Sequence, residues 1–226
     1  MRVNEIFTSL SGECDGFNLQ GGLATFVRLQ GCNLHCKWCD TKRAQSCTEA
    51  CWMASVEEVM AQCTSRHIII TGGEPLLQQG EVNQLVSSLI ERSFSRDGHD
   101  YEEHTLITIE TNGSIDIDID NSRAWYNFLR FVVDYKLDSS GMSKHMLPAV
   151  FERLNTLDVI KFVIADYQDY RQAKELIWRH PKWCARKVFS PVPKGNWAEE
   201  LANEMVQDQL ENVQFSLQWH KIVHVK

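Results

Sequence analysis

An α/β fold built on six or seven mostly parallel strands is what the sequence predicts, and three observations lead there. Short runs rich in β-branched and aromatic residues alternate with longer runs of helical period, the pattern of βα units. Two of the short runs, HIIIT (67–71) and DVIKFVIA (158–165), are almost continuously apolar, as strands covered on both faces are. The unusual loops all follow strand-like runs, which places them together at the carboxyl end of one sheet. The pattern leaves open whether that sheet is flat or curled, but its strand count falls short of the eight of a complete barrel.

The elements follow in chain order. LATFVRL (23–29) is the first strand, SVEEVMAQC (55–63) a helix and HIIIT the second strand. EVNQLVSSLIER (81–92) is a helix, and the polar SFSRDGHDYEEH (93–104) reads as an exposed loop. TLITIE (105–110) and FVVDYK (131–136) are strands, and KHMLPAVFERL (144–154) is a helix whose start is blurred by its proline. DVIKFVIA, KVFS (187–190) and VQFSL (213–217) complete the strands, separated by helices YQDYRQAKELIWR (167–179) and NWAEELANEMVQDQL (196–210). No repeat or low-complexity tract divides the chain, so residues 1–226 are expected to form a single domain.

Composition narrows the function. A formal charge of −7 opposes a broad nucleic-acid surface, which needs clustered Lys and Arg. No apolar run approaches the roughly 18 residues of a membrane span, and the first residues lack the order of a secretory signal, so a cytoplasmic protein with a small-molecule substrate is expected. Eight cysteines in a chain of 226 residues then point to metal or redox chemistry rather than to disulfides.

GCNLHCKWCDT (31–41) carries three of those cysteines, Cys32, Cys36 and Cys39. Structural zinc usually takes four protein ligands, and no partner pair follows at finger-like spacing. Soft thiolates suit an iron–sulfur cluster, in which three of them leave one iron open to another ligand. Three unrelated loop thiols are the alternative. TGGEP (71–75) follows the second strand, and its glycines let backbone approach a ligand closely.

With these two motifs the chain resembles the radical S-adenosylmethionine superfamily, whose cysteines share this spacing with an aromatic residue before the third, here Trp38. NEIFTSLSGE, the run through FVRLQGCNLHCKWCDT, DYKLDSSGM (134–142), IKFVIAD (160–166) and LQWHK (217–221) are similar to the 7-carboxy-7-deazaguanine synthase family over nearly the whole chain. The resemblance implies an incomplete β/α barrel of the radical S-adenosylmethionine type. It also implies a lyase that contracts 6-carboxy-5,6,7,8-tetrahydropterin to 7-carboxy-7-deazaguanine and ammonia. A 4Fe-4S cluster, S-adenosylmethionine and Mg2+ would serve as cofactors, a flavodoxin- or ferredoxin-type donor as electron source, and a homodimer as the assembly. An activating enzyme for a glycyl-radical partner and a non-catalytic metal-binding module are the alternatives.

Residue roles are implied by the same resemblance. Cys32, Cys36 and Cys39 would hold the cluster and Thr41 the Mg2+, unless Thr41 is simply a helix N-cap. Trp38, Asp40, Gly73, Glu74, Asp134, Tyr135 and Lys136, with Ser190, Pro191 and Val192, would contact S-adenosylmethionine. Leu10, Ser11, Gly12, Glu13, Arg28, Thr71, Gln218, His220 and Lys221 would contact substrate, with Arg28 gripping its carboxylate. Ser11 stands where the family usually has Gln, and Cys14 where it usually has Gly. Cys47, Cys51 and Cys63 would form an auxiliary cluster or remain plain thiols.

Overall fold

In the computed structural model, which describes residues 1–12, 14–96, 104–119 and 127–226, one mixed sheet carries the architecture. Its strands are β1 (Arg2–Leu10), β2 (Leu23–Leu29), β3 (Trp52–Met53), β4 (His67–Gly72), β5 (Leu106–Thr111), β6 (Leu129–Tyr135), β7 (Val159–Ile164), β8 (Arg186–Pro191) and β9 (Val213–Phe215). Their order is β3-β1-β2-β4-β5-β6-β7-β8-β9. From β2 onward each strand pairs in parallel with the next, and these are the seven predicted runs. The end strands β3 and β9 do not pair, so the barrel is incomplete.

Among the described residues the seven expected strands form the parallel part of the sheet, and two further strands join them. The addition of consequence is β1, which lies antiparallel to β2 and bears β3 at its other edge. RVNEIFTSL mixes Asn, Glu, Thr and Ser into its apolar residues because it is mostly half-buried, so it lacks the apolar density of the central strands. Two helix boundaries are corrected. The helix expected over 144–154 is α3 (Pro148–Arg153), with Pro148 in the first turn, where its missing N–H costs nothing. The expected loop 93–104 begins as helix, since α2 (Gln79–Arg96) runs through its first four residues, and 97–103 lie outside the described residues.

The remaining helices are α1 (Val56–Gln62), α4 (Tyr167–Arg179), α5 (Trp197–Gln207) and α6 (Trp219–Ile222). Ser55 caps α1 in a reciprocal arrangement with Glu58. Alternation along the strands separates core from cavity. Ile68 and Ile70 of β4, Ile107 and Ile109 of β5, Phe131 and Val133 of β6, and Ile160 and Phe162 of β7 face the helices. There they meet Val82, Leu85 and Leu89 of α2, Tyr170 of α4 and Leu201 of α5. Each such burial contributes about 1.5–3 kcal/mol. The intervening Ile69, Thr71, Glu110, Asp134, Lys161 and Val163 line an inner cavity. No helix among the described residues is long and apolar enough to cross a membrane.

Candidate active site

The cavity opens where β2, β4, β5 and β6 end. After β2 the chain turns at Gly31, whose φ of +106° favours glycine. Gly31 N–H donates to Ala44 O at 2.8 Å and Cys32 N–H to Gln45 O at 3.0 Å, so the loop is tied at its base. Lys37 N–H reaches Ser140 O at 3.0 Å across the cavity mouth. Cys32, Cys36 and Cys39 all line the cavity. Cys32 Sγ accepts from Leu34 N–H at 3.4 Å, and Asn112 Nδ2 stands 3.9 Å from it.

Burial pushes the Cys32 and Cys36 thiols up, with Lys136 drawing Cys36 partly back. Their ionisation therefore needs a cationic metal centre, which deprotonates coordinating thiols. Three half-buried thiols on one loop, all lining one cavity, fit a cluster that offers each sulfur its own iron.

Lysines form the facing wall. Lys136 Nζ is 2.7 Å from Asp134 Oδ2, Lys161 Nζ is 3.0 Å from Asp134 Oδ1, and Lys136 lies 5.6 Å over the Trp38 ring. Burial raises the Asp134 carboxyl, but the two ammonium groups outweigh it and hold the group below its ordinary value. Lys136 is shifted up, because Asp134 and Cys36 overcome the burial that lowers it.

Beside β1 stands Arg28, its Nε 3.0 Å from Glu5 Oε1 and its Nη1 3.4 Å from Thr41 Oγ1. Glu5 also pairs with Arg43 and with Lys226, at 2.6 Å for the latter, so one carboxylate orients three cations. Thr41 precedes a single 3-10 turn (Lys42–Ala44) without a side-chain cap bond; its hydroxyl donates to Asp40 Oδ1 at 3.0 Å instead. Burial would raise Asp40, but Lys221, 2.7 Å away, holds it at about 2. That ion pair joins the cysteine loop to α6, while Trp219 N–H donates to Gly12 O at 2.8 Å and His220 packs on Gly12. These contacts seat α6 between the turn after β1 and the cysteine loop, at the rim of the cavity.

Most of the expected residues converge here: Leu10, Ser11, Gly12, Arg28, the three cysteines, Trp38, Asp40, Thr41, Thr71, Gly73, Asp134, Lys136, Val192, Gln218, His220 and Lys221 line one cavity. Tyr135, Ser190, Pro191 and Glu74 do not. Tyr135 packs among Phe151, Phe162 and Trp183, and Ser190 and Pro191 are buried in β8. Glu13 lies outside the described residues. Cys63 is a buried thiol donating to Val59 O, and Cys47 is exposed against the cysteine loop with Sγ 3.7 Å from Cys32 O.

Glu74 is a strut. Wholly buried, it accepts from Thr111 Oγ1 and Asn112 N–H, both at 2.7 Å, and from Leu76 N–H at 2.9 Å, clamping the TGGEP loop to the TNG loop after β5. Burial lifts its carboxyl from the ordinary 4.5 to about 7 against these donors. Folding is therefore most favoured while the group is protonated. Its contribution is full below about 4.5 and fades as pH rises through about 7, a loss of about 3 kcal/mol. Thermal melts of the metal-free chain between about pH 5 and 8 should show a steeper fall in Tm for the wild type than for Glu74→Gln.

Asp15, Glu110, Asn112, Lys161 and Lys226 also line the cavity, without having been assigned roles from sequence. A lysine inside the otherwise apolar VIKFVI was a visible signal for Lys161, and the TNG turn for Asn112. Nothing in the sequence marks Asp15.

Comparison with known proteins adds an independent line. The family model for a 4Fe-4S single cluster domain matches residues 19–156. The 7-carboxy-7-deazaguanine synthase of Clostridium acetobutylicum is 33% identical, with 98% of this chain and 95% of that protein covered. That of Leptospira interrogans is 34% identical over 98% of this chain and 94% of its own. The crystal structure of QueE from Escherichia coli superposes with a TM-score of 0.70 at 24% identity, covering 97% of this chain and 94% of its own. Streptococcus suis SuiB bound to S-adenosylmethionine shares the fold at a TM-score of 0.52 and 16% identity, covering 83% of this chain and 48% of its own.

Proposed function

The chain belongs to the 7-carboxy-7-deazaguanine synthase family, and from that premise we propose that it converts 6-carboxy-5,6,7,8-tetrahydropterin to 7-carboxy-7-deazaguanine and ammonia, with a 4Fe-4S cluster, S-adenosylmethionine and Mg2+. The carrying observation is that the three cysteines, the TGGEP glycines and the Arg28–Thr41 pair face one continuous cavity.

Cys32, Cys36 and Cys39 would hold the cluster, leaving one iron for the methionine end of S-adenosylmethionine. When bound, these two groups supply the hydrogen-abstracting chemistry. The chain's own residues bind, orient and exclude water. Lys136 and Lys161 share the Asp134 carboxylate and set two ammonium groups on the cavity wall, where an anionic ligand group would meet donors. Arg28 donates Nε to Glu5 and Nη1 to Thr41 at 3.4 Å, which fixes its guanidinium plane and leaves Nη2 to lead the grip on a substrate carboxylate. The α6 segment, latched by Lys221 to Asp40, screens the bound reactants from solvent.

The Thr41 hydroxyl lies between Asp40 and Arg28 and would hold the Mg2+, which would supply a hard cation for substrate oxygens. Thr41→Ala is expected to fold and load its cluster normally, but to lose most of its Mg2+ stimulation. Turnover with and without added Mg2+ measures this, and full stimulation in the variant refutes the assignment. The reaction itself is tested by anaerobic turnover of 6-carboxytetrahydropterin with a reconstituted cluster and reductant, read by mass spectrometry. A fully loaded enzyme that makes no deazaguanine product would overturn the reading.

A further inference from the structure

The cavity has a second polar end, where the roles above name Ser11 as a substrate contact and leave Asp15 unassigned. Arg28 is the register partner of Thr71, while His67, four residues earlier on β4, marks the opposite end of that strand. Four residues of strand span about 13 Å. At the His67 end the turn after β1 brings Asp15 into the cavity lining.

Asp15 is 3% exposed. Among the described residues no lysine or arginine pairs with its carboxylate, and the titratable group at ion-pair distance is His67, with Nδ1 4.0 Å from Oδ2. Burial pushes the His67 imidazole toward its neutral form, against the pull of Asp15. Its Nδ1 carries no hydrogen bond, while Nε2 is 2.9 Å from Thr108 Oγ1. Oδ1 of Asp15 is occupied by the backbone N–H groups of Phe17 at 2.8 Å and Leu19 at 3.0 Å. Oδ2 accepts from the Ser11 hydroxyl at 3.1 Å and retains acceptor capacity. Having donated its proton there, Ser11 Oγ likewise has lone pairs to offer.

Oδ2, with one donor in place and capacity for more, can receive N–H groups from a ligand in the cavity it lines. We infer that Asp15 and Ser11 determine substrate specificity by receiving the amino-pyrimidinone edge of the pterin, its 2-amino and N3 N–H groups meeting two acceptor oxygens 3.1 Å apart. The ring would then lie between this end and Arg28, with its carboxylate toward the cysteines. This deepens the pterin reading and rests on it.

Equilibrium binding without reductant separates the two. The probes are 6-carboxytetrahydropterin and its analogue with hydrogen in place of the 2-amino group. The wild type should bind the analogue about ten- to a hundredfold more weakly, the range of a charge-assisted hydrogen bond. Asp15→Asn keeps an oxygen for Phe17 and Leu19 but turns an NH2 toward the ligand, so it should lose that factor for the amino substrate and bind both probes alike. Ser11→Ala, which leaves the turn intact, should lose part of it. Arg28→Lys should weaken both probes equally and preserve the discrimination. Equal binding of the two probes by the wild type, or unchanged discrimination in both Asp15→Asn and Ser11→Ala, overturns the inference alone. No pterin binding by the wild type overturns the parent reading with it.

Discussion

Cys36→Ala is expected to yield a folded chain that assembles no complete cluster and makes product only at the uncatalysed background, a loss of about a millionfold or more. Cys36 is half-buried and packs against the core at its margin, so loss of its sulfur costs a folded-state contact of about 1 kcal/mol. The large effect is chemical. Three thiols face the cavity, and with Cys36 gone only Cys32 and Cys39 remain there, too few sulfurs to retain the cluster's iron. The visible charge-transfer absorption after anaerobic reconstitution and the iron content per chain measure this directly. Cys47→Ala is the matched control, since Cys47 is exposed and outside the cavity lining. It should keep both cluster and turnover. Equal loss in both variants would show that the loop's integrity, and not ligation, was removed.

The contrast between those two cysteines shows what was legible in the sequence. Spacing singled out Cys32, Cys36 and Cys39, and the alternation of strand-like and helix-like runs placed the loops that follow them at one end of a parallel sheet. The seven parallel strands were readable because one face of each is buried by helices, which demands dense β-branched and apolar residues. β1 was not, since it contributes a half-polar surface to the cavity's flank. The same difference governs the site. Motif residues carried their signal in local spacing, whereas Asp15 acquires its place only because the turn after β1 folds back to His67, a contact between positions 52 residues apart in the chain. Glu74 illustrates the converse: it sits inside the TGGEP motif, and the fold adds contacts from its carboxylate to Thr111 and Asn112 that local spacing does not announce.

Gly73→Ala is expected to lower Tm by about 10 °C and to reduce cluster loading, although the substitution adds one methyl group. A Cβ at position 73 would stand 2.2 Å from Gly31 O and 2.5 Å from Ala44 O, and both are backbone atoms that no side-chain rotation can move aside. Overpacking of this kind costs about 1–3 kcal/mol. The neighbouring bonds, Glu74 N–H to Gly31 O and Gly31 N–H to Ala44 O, both 2.8 Å, would also be strained, at about 0.5–1.5 kcal/mol each. For a chain of this size each kcal/mol shifts Tm by about 2–4 °C. The damage lands on Gly31, the residue before Cys32, so stability and iron content should fall together. Gly80→Ala supplies the opposite case: Gly80 lies in α2 with nothing within 4 Å of its added methyl, and the better helix former should stabilise by about 0.5–1 kcal/mol. A Gly73→Ala chain that melts like wild type and loads a full cluster, yet binds S-adenosylmethionine poorly, would transfer the demand for glycine at this position from loop packing to ligand approach.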